Sequence, residues 1–190
     1  LKGIYLDYPK EKAVSILLNA AEKDTVAYAM NALGLVYMEG IGTEQNAEKA
    51  IIWLNKAGEN GYCDAYHNLG IIYKLGKCGE RQNFTAAYNA FIKGAEAGSD
   101  ACRYGAGFML YKGLGCTQDY DKAMELFQTA SDNGNVYATY MLGLCHRNGY
   151  GTAQDEEKGM ELLNQAATLG YSAAIEEVSR NNPENYLTDI

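Results

Sequence analysis

The glycines Gly61, Gly98, Gly134 and Gly170 fall 37, 36 and 36 residues apart, and a second series, Gly34, Gly70, Gly107 and Gly143, keeps step at 36, 37 and 36. A period of this length held over four copies restricts the chain to architectures in which one small unit is stacked on itself. The copies run from Ala29 to Gly61, Ala65 to Gly98, Cys102 to Gly134 and Ala138 to Gly170. The second carries its extra residue in the loop after Gly76. Pro9 to Asp24 matches the second half of a unit, and Tyr171 to Val178 matches the start of one.

Each unit reads as helix, turn, helix. In the first copy Ala29, Ala32, Leu33, Val36 and Tyr37 recur at helical spacing and define one apolar face. Gly40 and Gly42 then break the helix. Asn46 stands where an N-cap is needed, with Asn83, Asp119 and Asp155 at the matching positions, since such side chains accept from the free amides of a first turn. Ala50, Leu54 and Ala57 form the inward face of the second helix. The 21 Gly against 2 Pro agree with helices joined by short, regular turns. The expected fold class is all-α, an α/α solenoid of about four complete helix-turn-helix repeats with half repeats at both ends. Its expected division is a single solenoid over 1–180: a half repeat at 9–24, repeats at 25–61, 62–98, 99–134 and 135–170, and a C-terminal capping helix at 171–180. A polar tail follows at 181–190.

A glycine in mid-helix costs up to about 1 kcal/mol relative to alanine. Gly34 and its equivalents therefore mark places where no Cβ fits. The expected neighbours are the small pairs Ala20-Ala21, Ala57-Gly58, Gly94-Ala95 and Ala166-Ala167.

Charge and composition exclude several functions. The net charge is −8 and the acids are spread along the chain, so no basic stripe invites nucleic acid. No Lys/Arg-rich helix face suits an anionic membrane, and no apolar run approaches the roughly 20 residues that span a bilayer. The five cysteines, Cys63, Cys78, Cys102, Cys116 and Cys145, are odd in number and include no CxxC. With only His67 and His146 beside them they assemble no four-ligand zinc site, so no metal and no cofactor is expected. Cys78 and Cys116 occupy equivalent loops of adjacent copies, and two free thiols is the favoured reading over a disulfide. Cys63, Cys102 and Cys145 read as small buried hydrophobes and His146 as a packed ring at a core position. The G-x-G pairs follow helices and lack the lysine of a phosphate loop. Asn83-Phe84-Thr85 spells a glycosylation sequon at a helix start. The chain opens at Leu1 without Met or a signal-peptide pattern and reads as trimmed from a longer array.

The pattern A-x-x-x-L-G-x-x-Y-x-x-G-x-G, followed by D-x-x-K-A and K-A-A-x-x-G, resembles the Sel1-like repeat, a relative of the tetratricopeptide repeat. The residues carrying it are Leu33-Gly34, Tyr37, Gly40, Gly42 and Lys49-Ala50 in the first copy, then Leu69-Gly70, Tyr73 and Gly76. They continue with Gly113, Gly115, Asp119 and Lys122-Ala123, and with Leu142-Gly143, Gly149, Gly151 and Asp155. Ala106 stands for the Leu, Leu110 and His146 for the Tyr, and Cys78 for the second loop glycine. Secreted members bridge a Cys of the K-A-C end to the next helix; here those positions hold Gly58, Ala95, Ser131 and Ala167. The resemblance implies an adaptor that holds a protein or peptide partner. Free thiols lean toward a reducing compartment such as the cytoplasm, while exported members of the family keep a secreted or periplasmic location open.

If first helices line the concave side, as in tetratricopeptide arrays, the partner-binding positions follow by counting from each L-G pair. They are Tyr28, Asn31, Leu35 and Met38; Asp64, His67, Ile71 and Lys74; Ala101, Tyr104, Phe108 and Tyr111; and Tyr137, Tyr140, Leu144 and Arg147. Tyrosines with few rotors make good interface anchors, and the chain holds 16 of them against 4 Phe and 1 Trp. Arg147 and Lys74 are candidates to grip a carboxylate. The alternative reading of each ring is that it fills a gap between adjacent repeats. The alternative function is an enzyme or small-molecule site in the groove near Asp64 and His67, which needs convergent groups in a closed pocket. Open solenoid ends, here the apolar Leu1–Tyr8 segment, offer a route to self-association.

Overall fold

The computed structural model describes residues 9–23 and 25–181, apart from the side chain of Cys78. The Leu1–Tyr8 segment and 182–190 of the polar tail lie outside the described residues. Within them the chain is all-α, with ten α-helices and one 3-10 turn. It divides into two compact units, one up to Cys102 and one from Arg103.

Unit one holds α1 (Lys10–Glu22), α2 (Ala27–Glu39), α3 (Ala47–Glu59), α4 (Ala65–Leu75), the 3-10 turn Lys77–Gly79 and α5 (Phe84–Glu96). Successive helices pack α1 on α2, α2 on α3, α3 on α4 and α4 on α5. The division falls within α6 (Asp100–Lys112), most of which belongs to unit two with α7 (Tyr120–Asp132), α8 (Val136–Asn148), α9 (Glu156–Thr168) and α10 (Ser172–Asn181). There α7 packs on α8, α8 on α9 and α9 on α10.

The helix ends follow local chemistry. The side chains of Asn46, Asn83, Asp119 and Asp155 accept the amides of Lys49, Ala86, Lys122 and Lys158 at 2.8, 2.9, 3.0 and 2.9 Å. Gly40 ends α2 in the left-handed region at φ 69°, where a side chain would be strained. One clip recurs that the sequence reading did not anticipate. Gln45, Gln82, Gln118 and Gln154, each just before an N-cap, donate from Nε2 to the carbonyls of Met38, Lys74, Tyr111 and Arg147 at 2.7, 2.9, 2.9 and 2.9 Å. These carbonyls belong to last turns that have no partner within their own helix, so the glutamine closes what the helix leaves open.

Asp119 is expected to titrate below the ordinary aspartate range. The Lys122 amide bonded to its carboxylate is the main cause, and the Lys122 ammonium at 3.0 Å adds to it. A folded value below the unfolded one stabilises the fold above the ordinary aspartate pKa, and this contribution drains away as pH falls through the folded value. A carboxyl carbon-13 titration reads it directly, and an Asp119 midpoint at or above that of an unstructured aspartate peptide would refute it. Asp119→Asn should keep the cap, as Asn46 and Asn83 do, and lose this part of the acid sensitivity.

The mid-helix glycines are met by different residues from those expected. A Cβ at Gly34 would lie 2.5 Å from Leu54 Cγ, at Gly70 2.5 Å from Phe91 Cε1, at Gly107 2.7 Å from Phe127 Cε1 and at Gly143 2.9 Å from Leu163 Cγ. Each glycine thus receives a large buried side chain from the centre of the second helix of its own repeat. The small pairs serve the next junction instead: the space over Gly58 is filled by the Tyr66 ring and that over Gly94 by Cys102, each from the first helix of the following repeat, with Tyr66 of its own repeat also against Gly94. Leu33, Leu54, Ile72 and Phe91 in unit one, and Met109, Phe127, Leu142 and Leu163 in unit two, are all but fully buried. Each such side chain contributes roughly 1.5–3 kcal/mol by leaving water.

Candidate functional site

In unit one the counted positions divide between surface and junction. Tyr28 is exposed and meets Tyr62 edge-on at 5.8 Å. Leu35 and Ile71 are half-buried. Asn31 is not a groove residue: it is 5% exposed, and its side-chain oxygen accepts from Asn68 Nδ2 at 2.9 Å. The reason is its place on α2, where it faces α4 of the next repeat, so its polar group is satisfied inside the stack. Met38 is buried as well.

Asp64, His67 and Lys74 do not make a closed pocket of free groups. The Asp64 carboxylate accepts the hydroxyl of buried Ser99, which also accepts the Cys102 amide at 3.2 Å. His67 lies tilted against Phe91 at 5.7 Å. Burial lowers its pKa, with Asp64 opposing the fall and Lys74 adding to it. Burial lowers Lys74 too. The tie between Asp64 and Ser99 is therefore a repeat-to-repeat contact. The same register position carries the Tyr28–Tyr62 pair one repeat earlier and the Tyr137–Tyr171 pair at the end of unit two.

Among the described residues of unit two the tyrosines fall into two groups. Tyr104 lies 5.6 Å from Tyr137, Tyr137 5.1 Å from Tyr171, and Tyr171 5.0 Å from Tyr140. The first pair is tilted and the two with Tyr171 are edge-to-face; aromatic pairs of the latter kind contribute about 0.5–1.5 kcal/mol beyond area burial and hold the rings in fixed positions. Tyr104 also meets Phe108 at 6.3 Å and the core ring Phe127 at 6.2 Å. Burial pushes its phenol up to about 12, with Tyr171, Tyr137 and Tyr140 adding. It is thus half core. Tyr137 is 48% exposed, while Phe108, Tyr140, Leu144 and Tyr171 are half-buried. Tyr111 belongs to the other group, 5.4 Å from Tyr120 and 5.8 Å from Tyr150.

Arg147 is not available to grip a partner's carboxylate. It forms an ion pair with Glu177 of α10 at 2.7 Å, with the side chains only 21% and 18% exposed. The fork-shaped guanidinium is taken by a carboxylate one helix pair away, which fastens α10 to α8. Glu177, Tyr120, Tyr150 and Tyr171 were missed by the count from each L-G pair. Tyr171 had a signal, since it follows Gly170 as Tyr62 follows Gly61.

Cys102 and Cys145 are buried, and burial pushes their thiols up to about 12 and about 11, so neither is a nucleophile at neutral pH. Cys63 is only half-buried, more open than a core hydrophobe, and Cys116 is a half-buried free thiol in its loop. His146 is buried, and burial lowers its pKa. Among the described residues no group of three or more His, Cys, Asp or Glu could hold a metal ion, and no helix is long and apolar enough to cross a membrane.

The family model for the Sel1 repeat matches four times, at residues 27–62, 63–99, 101–135 and 136–171. An ERAD-associated E3 ubiquitin-protein ligase component, HRD3B, of Arabidopsis thaliana is 31% identical over 111 residues, which is 58% of this chain and 17% of that protein. The sel1-like repeat-containing protein L21 of Acanthamoeba polyphaga mimivirus is 33% identical over 88 residues, 46% of this chain and 15% of that protein. The chain therefore spans about a sixth of the curated relatives it matches. Among solved structures, a Sel1 repeat protein from Oxalobacter formigenes superposes with a TM-score of 0.78 at 26% identity, covering 90% of this chain and 69% of that one. The protective antigen c5321 of uropathogenic Escherichia coli, which has an SLR fold, gives 0.65 at 25% identity, covering 93% and 45%. These neighbours are α/α solenoids of the expected class. Proteins built from this repeat generally act as scaffolds for protein–protein interaction and are typically not enzymes. Four matched copies, in register with the helix pairs of the structure, place this chain in the Sel1 repeat family.

Proposed function

We propose that this protein is an adaptor that binds a partner protein or peptide on the tyrosine surface formed by the first helices of unit two. The observation that carries the reading is the chain of edge-to-face rings from Tyr137 through Tyr171 to Tyr140, with 48% of Tyr137 open to solvent. Rings already held by one another lose little freedom when a partner covers them, which is what interface anchors require. Their hydroxyls can meet polar groups while their faces exclude water. Tyr28 and Leu35 are retained as contacts of the same kind on unit one, and Tyr111 as the edge toward Tyr120 and Tyr150. The Arabidopsis relative is by name a component of a ubiquitin-protein ligase, which is compatible with this reading.

The test is capture of partners from source lysate, followed by calorimetric titration of the purified partner against wild type and a Tyr137→Ala, Tyr140→Ala double variant. Tyr104 is left intact because it also covers Phe127. With hot-spot tyrosines at about 1–2 kcal/mol each, affinity should fall roughly 30-fold or more while circular dichroism stays unchanged. A partner that binds both proteins equally would move the interface off this surface.

A further inference from the structure

In unit one the chain covers its own ring faces with ammonium groups. Lys49 lies 5.1 Å from the centre of Tyr37, Lys56 4.6 Å from Trp53 and Lys93 5.3 Å from Tyr66. That unit has 10 Lys and Arg against 12 Asp and Glu, whereas Arg103–Ile190 have 6 against 12, and together these account for the 16 basic and 24 acidic residues of the chain. Unit two is thus acidic by six charges, and it carries ten aromatic rings against eleven in unit one.

Both features meet at one place. Tyr120 and Tyr150 stack at 4.9 Å with planes 14° apart, and Tyr111 stands edge-on to both. The Lys112 ammonium lies 5.2 Å from the Tyr111 centre, so this cluster already holds one cation of its own chain. Beside the stack is a cleft of about 510 Å³ lined by Asp121, Met124, Glu125, Gln128, Thr129 and Gly151. One side of it is closely packed: a Cβ on Gly151 would lie 2.6 Å from the Tyr120 carbonyl oxygen and 3.1 Å from the Asp121 amide nitrogen, so the α8–α9 loop is seated on the first turn of α7. Asp121 and Glu125 are one turn apart on α7 and exposed, and neither forms an ion pair among the described residues. Nearby Asp119 is already paired with Lys122 at 3.0 Å.

We infer that this cleft docks a basic segment of a partner protein, its Lys or Arg heads pairing with Asp121 and Glu125 and lying against the Tyr120–Tyr150 stack. The chemistry repeats what unit one does within itself, with the cation supplied from outside. Met124 provides apolar surface for the methylene stem behind each charged head. Carboxylates in a cleft beside a ring stack prefer such a head over a bare metal ion, because the head carries both a delocalised or ammonium charge and a stem. The cleft belongs to α7 and the α8–α9 loop, apart from Tyr137 and Tyr140, so a variant of those two residues tests the surface proposed above without touching the cleft.

The experiment is fluorescence anisotropy at about 0.15 M salt, where long-range attraction is screened. The probe is a fluorescein-labelled peptide of alternating Arg and Ser, with an alternating Glu and Ser peptide beside it. Binding of the Arg peptide should weaken about tenfold in Asp121→Asn, Glu125→Gln and less than about twofold in Glu161→Gln, Glu176→Gln, which removes the same charge outside the cleft. Tyr150→Leu should weaken it about fivefold and Tyr150→Phe should not. Tyr137→Ala, Tyr140→Ala should leave it unchanged. Melting curves confirm that each variant is folded, and the two carboxamide pairs carry the decision if Tyr150→Leu is not. Equal losses in the two carboxamide pairs, equal binding of the Glu peptide, or no binding of the Arg peptide by the wild type would each overturn the site.

Discussion

Phe127→Ala should lower the stability of the protein by about 3–5 kcal/mol, the range for deleting a fully buried aromatic side chain. The ring has no exposed surface, sits over Gly107 at the centre of its repeat, and carries Tyr104 against its other side at 6.2 Å. Collapse cannot refill the space, because the facing residue is a glycine with no side chain to move in. Phe127→Leu should cost less than half as much, since Leu54 and Leu163 do the same work over Gly34 and Gly143. Urea unfolding followed by circular dichroism measures both. The expected signature is a lower midpoint with an unchanged slope. A loss below about 1 kcal/mol for the alanine variant would mean that the ring is not the centre of its repeat.

Gly94→Ala should destabilise by about 2 kcal/mol even though alanine is the better helix former. Helix propensity favours the variant by up to about 1 kcal/mol. Against this, the new Cβ would lie 2.8 Å from Cys102 Cβ and 2.9 Å from Tyr66 Cβ. Both atoms are fixed to the backbones of α6 and α4, so no rotamer relieves the clash and a helix must shift. Overpacking of this kind costs about 1–3 kcal/mol, and the absence of any side-chain escape puts Gly94 at or above the upper end. The same urea experiment decides it. A variant more stable than wild type would show that the α4–α5–α6 junction yields easily, and that the small pairs of the repeat are not there for close approach.

The legible parts of this chain were those set by neighbours in sequence. Asn46, Asn83, Asp119 and Asp155 cap helices because an N-cap needs only its own side chain and an amide three residues on. Gly40 and Gly149 end helices because a left-handed residue is required there whatever lies nearby. The glutamine before each cap was readable in principle, being present in all four copies, but its bond spans seven or eight residues and its meaning appears only once the turn has closed.

The candidate site was legible in composition and only partly in placement. Counting from the L-G pairs found Tyr137 and Tyr140, which share one surface, but it put Asn31 in the groove and left Arg147 free. A helical count fixes the direction of a side chain from its own axis. It carries no information on whether another helix stands in that direction. For Asn31 that helix is α4, and for Arg147 it is α10. The same blindness hid Tyr171, whose partners Tyr137 and Tyr140 lie about one repeat away in sequence.

From the sequence by itself come the repeat period, the helix–turn–helix unit, the caps and the family, because all four are written in local propensity and in register repeated four times. Only tertiary structure decided which large side chain enters each glycine notch, which polar groups close the junctions between repeats, and which rings are left open beside which charges. These depend on approaches between helices whose contacting residues lie about 20 or more apart in sequence, where a change of residue pair, Asp64 with Ser99 in place of Tyr28 with Tyr62, keeps the contact and alters its chemistry.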